Sequence, residues 1–213
     1  MKSKINFQRI LLLPTLARAS PIICPILLFM NCIMYPSFNS FYIFIMYIMI
    51  MFLNYFEKIL IFKPLYNLFG KTTLPILGRG LRPIGANSCS FILDGKDAKM
   101  YGMPSGHSQL AWTLATYIIC KIIFNFKNKN NTNNKNNTNN KDNTNKTTLS
   151  LNYIWIILSC IFLILFAGYV SYSRVYIEYC HTIQQVIVGG ILGICGGFII
   201  YYYEDNIKNA LHL

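Results

Sequence analysis

The sequence predicts an all-α, polytopic transmembrane helix bundle, and three observations carry that prediction. Hydrophobic residues make up 54% of the chain and charged residues only 12%, against about a quarter charged in soluble domains. Four apolar runs approach or exceed the roughly 20 residues that a helix needs to cross a bilayer: Phe41–Phe62, Leu110–Phe126, Leu151–Tyr172 and Thr182–Tyr203. The basic residues, which give a net charge of +12, lie mostly in the connections between these runs, where positive charge sets membrane topology. They form no aromatic-interleaved face and belong to no nucleic-acid motif, so no nucleic-acid partner is expected.

Taken in order, residues 1–40 read as an N-terminal anchor segment. Within it Pro21–Tyr35 is apolar but short and carries Pro21 and Pro25; it reads as a short span, an interfacial segment or a re-entrant piece. The expectation is four full spans plus this shorter segment. Residues 41–203 read as one membrane domain, with the helix of the second run starting at Ser105, and 204–213 as a polar tail. The domain is interrupted at 127–150 by "KNKNNTNNKNNTNNKDNTNKTTLS". That stretch offers nothing apolar to bury before Leu149 and is expected to be disordered.

Parity then places the connections 63–104 and 173–181 on one face and the 127–150 linker with the C-terminus on the other. Four spans add Lys2, Lys4, Arg9 and Arg18 to the linker face, which makes that face cytoplasmic by the positive-inside rule. The seven cysteines show no CxxC spacing, and most sit in apolar runs, where Cys acts as a small hydrophobe. Cys89 and Cys180 fall on the same face, but the reading does not pair them.

Three clusters meet on the non-linker face. "KTTLPILGRGLRP" brings Lys71, Arg79 and Arg82; "MPSGHS" brings Ser105, Gly106, His107 and Ser108; "YSRVYIEYCHTIQQV" brings Arg174, His181 and Gln185. Arginine forks match phosphate oxygens, and a Ser-Gly turn opening a helix offers free N–H groups and a positive dipole end to an anion. Two imidazoles beside such a site suit a nucleophile and a general acid. The face carries no acidic cluster to hold a metal, so no metal and no cofactor are expected. The glycines between Gly189 and Gly197 read as a close-packing face for a neighbouring helix.

"PSGH" and "SRVY…H" resemble the second and third signatures of the type 2 phosphatidic acid phosphatase superfamily. "YGMPSGHSQLAW" and "VSYSRVYIEYCHTIQQVIVGGILG" are similar to the versions in its dolichyl diphosphatase branch. The resemblance covers roughly residues 50 to 203. It implies that His181 is the nucleophile forming a phosphohistidine and that His107 protonates the leaving group. It further implies that Lys71, Arg82, Ser105, Gly106 and Arg174 bind phosphate, and that Gln185 orients His181.

Three departures from the family pattern stand out. Ten residues rather than six separate Lys71 from Arg82, which leaves Lys63 and Arg79 as rivals for the lysine role. Six rather than five separate Arg174 from His181. Gln185 stands where most of the family has Asp. The implied function is an integral membrane, metal-independent phosphatase that converts a polyprenyl (dolichyl) diphosphate to the monophosphate at the lumenal face of the endoplasmic reticulum. The alternatives are a broader lipid phosphate phosphatase, acting on phosphatidic acid or related lipids, and a non-catalytic lipid-binding relative.

Overall fold

The computed structural model describes residues 12–69, 73–74, 76–86, 101–136 and 144–211. Helix α1 spans Leu12–Met34, and α2 begins at Phe38 and runs to Phe56. A π-helical turn, Glu57–Phe62, carries α2 without a break into α3, Lys63–Leu68. A minimal hairpin, β1 Thr73–Leu74 against β2 Gly78–Arg79, caps that end. Then come α4 (Gly106–Asn136), α5 (Thr144–Tyr172) with a second π-helical turn at Ser173–Ile177, and α6 (Ile183–Ala210).

Among the described residues five helices are long and apolar enough to cross a membrane, including Pro14–Met34. The short N-terminal segment of the sequence reading is therefore a full-length helix. It is begun seven residues earlier than the apolar run by the weakly polar stretch around Arg18, whose charge is neutralised in the fold. This changes the topology. With five crossings the N-terminus lies on the same face as the 69–105 connection and the 178–182 turn. Only seven of the nineteen basic residues are left on the linker face, and the charge count no longer assigns that face to the cytoplasm.

Helices α4 and α5 also run on into the linker, to Asn136 and from Thr144, while 137–143 lie outside the described residues. Extending a helix from an anchored end avoids the costly nucleation step, so a polar tract can follow a span in helical form.

The core has three parts. Tyr42, Tyr47, Ile50, Leu110, Tyr117 and Ile200 join α2, α4 and α6. Small residues, Ala17, Ala111, Ala115 and Ala167, let α1, α4 and α5 approach closely. Tyr66, Leu74 and Met103 close the end that carries the loops. Outward faces are apolar: Ile154, Trp155, Leu158, Phe162 and Leu165 of α5 are all exposed, a surface suited to lipid rather than water.

The tightest contact is between α4 and α6. A Cβ at Gly189, Gly193 or Gly197 would collide with the backbone carbonyl of Ser105, Gln109 or Thr113 respectively. The glycine stripe repeats every four residues and meets α4 positions with the same repeat, so main chain lies on main chain. The close-packing role read from the sequence is what these glycines serve.

Candidate active site

Both histidines stand at the loop-bearing end of this α4–α6 pair. Thr182 caps α6: its hydroxyl accepts from the Gln185 backbone N–H at 3.4 Å, and the Thr182 N–H donates to Gln185 Oε1 at 3.2 Å. This reciprocal capping box fixes Gln185, which is wholly buried. The amide nitrogen of Gln185 donates to the carbonyls of Arg79 (2.8 Å) and Leu81 (2.9 Å). With the NH2 end thus assigned, Oε1 faces His181 and accepts from its Nδ1 at 2.9 Å. The proton sits on Nδ1, and Nε2 keeps the lone pair. Burial, then the charge of Arg82, holds the His181 imidazole well below its ordinary pKa and keeps the ring neutral.

The PSGH turn docks on the same helix end. The Ser105 N–H donates to the Gln185 carbonyl at 3.0 Å, and Gly106 opens α4. Gly106 has a packing reason to lack a side chain, since a Cβ there would lie 2.8 Å from Asn54 Oδ1. His107 is half-buried, and its Nε2 lies 3.1 Å from the carbonyl oxygen of Arg18. A carbonyl only accepts, so Nε2 carries the proton.

Around these rings stand cations whose hydrogen-bonding groups are buried and unpaired. Arg174 is fully buried, and its Nε, Nη1 and Nη2 have no hydrogen-bond partner among the described residues; the same holds for Nε and Nη1 of Arg82 and for the Ser105 hydroxyl. Burial holds the Arg82 guanidinium below its usual value. Native structures rarely leave such groups without partners, and an anion accepting several of these donors at once is the ligand this chemistry fits.

The structure brings Arg82, Ser105, Gly106, His107, Arg174, His181 and Gln185 together. Lys71 lies outside the described residues, and Lys63 is exposed. Arg79 contributes its carbonyl to Gln185. Sequence reasoning missed Lys58, on the π-helical turn of the second span. It acts electrostatically on Arg82, His107 and His181. The signal was present: "NYFEK" places two charges inside an apolar run, and an ionisable residue within a span marks a functional site by default. Asn54 donates to Gln109, which donates to Glu57 at 3.1 Å, so the carboxylate next to Lys58 in sequence is anchored to α4.

The extra residue between Arg174 and His181 is absorbed locally. The π-helical turn takes up one residue more per turn than an α-helix, and Tyr179 adopts φ +53°. The N–H groups of both Cys180 and His181 then bond the Arg174 carbonyl, at 3.1 and 3.2 Å. The nucleophile candidate is thus tied back to the phosphate-ligand candidate. Cys180 is disulfide-bonded, against the unpaired cysteines expected; the five other described cysteines are free and Cys89 lies outside the described residues.

A PAP2 superfamily profile matches residues 41–208. The chain belongs to the PAP2 superfamily. Its curated relatives include Dolichyldiphosphatase 1 of Homo sapiens, 37% identical over 93 residues, which are 44% of this chain and 32% of that protein. Dolichyldiphosphatase 1 of Rhinolophus ferrumequinum is 36% identical over 111 residues, 52% of this chain and 40% of that protein. The Dictyostelium discoideum protein of the same name is 36% identical over 101 residues, 47% and 34% of the two chains. The chain thus aligns with about a third of the length of these relatives. No solved structure gives a significant match. Family and fold together make this an integral membrane protein of the PAP2 superfamily.

Proposed function

We propose that the protein hydrolyses a membrane-borne polyprenyl diphosphate, dolichyl diphosphate in the first instance, to the monophosphate and inorganic phosphate. The observation that carries the reading is the pairing of a neutral His181, with its Nε2 lone pair set by Gln185, with the unpaired buried guanidinium groups of Arg82 and Arg174. In this reaction Nε2 of His181 attacks the terminal phosphorus. Arg82, Arg174, the Ser105–Gly106 turn and Lys58 hold the charge that develops on its oxygens. The bond to the bridging oxygen breaks, and His107, which keeps its Nε2–H on the Arg18 carbonyl and takes a second proton at Nδ1 when the anionic diphosphate binds, delivers that Nδ1 proton to the bridging oxygen. Water then takes the phosphoryl group from His181, with His107 accepting the water's proton. Lys71 is a further phosphate ligand in this scheme.

A diphosphate leaves as a phosphate monoester, a much weaker base than an alkoxide, and so needs less activation of the nucleophile than a carboxylate partner would give. The amide of Gln185 fits that demand. The reaction is metal-independent in this scheme, the charge on the phosphate being met by the buried donors of Arg82 and Arg174. Residence in the endoplasmic reticulum with the site facing the lumen is supported by the disulfide at Cys180 on the site face, since such bonds persist in oxidising compartments.

The test is phosphate release by detergent-purified protein in the presence of a chelator, from dolichyl diphosphate, dolichyl monophosphate and phosphatidic acid, with His181→Ala as the blank. Release from the diphosphate, lost in the variant, is the expected result. Equal release from phosphatidic acid would replace the substrate assignment by a broad lipid phosphatase. No release from any lipid would overturn the enzymatic reading.

A further inference from the structure

The matched family region begins at residue 41, yet α1, which ends before it, reaches into the site through one residue. Arg18 Nη2 donates to Glu178 Oε2 at 2.6 Å across 160 residues of sequence. The two side chains are 10% and 1% exposed. Glu178 stands between Arg174 and His181, at the end of the π-helical turn. The carbonyl of the same Arg18 accepts from Nε2 of His107. One residue of α1 therefore holds the nucleophile's turn by its side chain and the proton donor by its backbone.

The local sequence around this residue is "RASPIICP". Pro21 has no N–H for the carbonyl of Ala17. Ser20 Oγ satisfies the Ala17 carbonyl instead, at 2.8 Å.

We propose that the Arg18–Glu178 pair is a clamp that sets the positions of His107 and His181 together, with Arg18 and Glu178 as positioning residues of the phosphatase reaction. A topology charge at a membrane surface would extend its head to water. Arg18 instead meets a carboxylate that water does not reach, and removing either partner would strand a buried charge. The inference rests on the reading of the two histidines as the reacting pair.

The test uses the full chain in detergent with Arg18→Gln, Glu178→Gln and the double variant, followed by phosphate release from dolichyl diphosphate, by melting and by amide hydrogen exchange. Each single variant should lower kcat by about 10- to 100-fold, the range typical of outer partners that orient reacting groups, with KM within about twofold. The double variant should lose no more than the worse single, because the pair acts as a unit. Arg18→Lys, which keeps the charge, should recover part of the loss. Exchange should quicken at 178–182 and 105–109 in Arg18→Gln but not at 42–50.

Single variants with wild-type kcat, or losses that add in the double, would overturn the clamp. So would a loss no larger than the fraction of unfolded protein. If the wild type releases no phosphate above His181→Ala, the functional reading falls while the exchange pattern still decides the clamp: unchanged exchange at 178–182 refutes it.

Discussion

Gln185 accepts from Nδ1 of His181 at 2.9 Å while its own amide nitrogen is held by the carbonyls of Arg79 and Leu81. Only an amide can satisfy both sides. In Gln185→Glu a carboxylate of the same shape faces two carbonyl oxygens and leaves them without donors. At about 1–3 kcal/mol for buried groups left unsatisfied, the variant should melt several degrees lower and release phosphate more slowly. Unchanged melting would show that the amide orientation is wrong.

The neutrality of His181 gives a pH dependence with a definite sign. Its pKa in the fold lies below the usual value of about 6.5, so the ring stays unprotonated through that pH. Below it the unfolded chain binds a proton that the native state does not, and stability falls as the pH drops. The acid limb of kcat/KM from this ring should lie under pH 6.5. Arg82→Ala removes a cation beside it, so protonation becomes easier and the limb should move to higher pH. A limb that stays in place or moves down would refute Arg82 as a neighbour of the ring.

Lys58 separates function from fold. Lys58→Met keeps the length and apolar stem of the side chain but removes the charge that acts on Arg82 and both histidines. It should cut kcat/KM by about 10²–10³, the scale of one lost charge-stabilising donor, and should not lower the melting temperature, since a charge held within a span is costly. Full activity in this variant would return the lysine role to Lys71.

Two glycines predict opposite outcomes for one substitution. A Cβ at Gly193 collides with the Gln109 carbonyl, whereas at Gly168 it meets nothing within 4 Å. Gly193→Ala should destabilise by about 1–3 kcal/mol through overpacking. Gly168→Ala in α5 should leave stability unchanged or raise it by up to about 1 kcal/mol. Melting curves of the two proteins in one detergent decide it.

Much of this was legible in the residues themselves. Long apolar runs pointed to four helices, and PSGH with SRVY…H pointed to the two histidines, Ser105, Gly106 and Arg174 that the fold brings together, because those features are local. The rest depends on relations that local patterns do not carry. Arg18 looked like a topology charge because its partner lies 160 residues away. Pro21 and Pro25 made α1 look like a fragment, although Ser20 repairs the bond that Pro21 breaks. Lys58 was hidden within a hydropathy run, on a stretch that the fold winds as a π-helical turn. The extra residue before His181 looked like a disturbance of the loop, yet a bulge in α5 and a left-handed Tyr179 take it up.

The bare contact between α4 and α6 has a consequence for life in a bilayer. Membranes differ in thickness, and helices answer by tilting. Two helices cushioned by long side chains can slide against each other as they tilt. Here Gly189 sits on Ser105 and Gly193 on Gln109, with no compressible layer between them. The pair must lean as one body, so the spacing of His107 and His181 is insulated from the lipid around it and can stay the same in membranes of different depth.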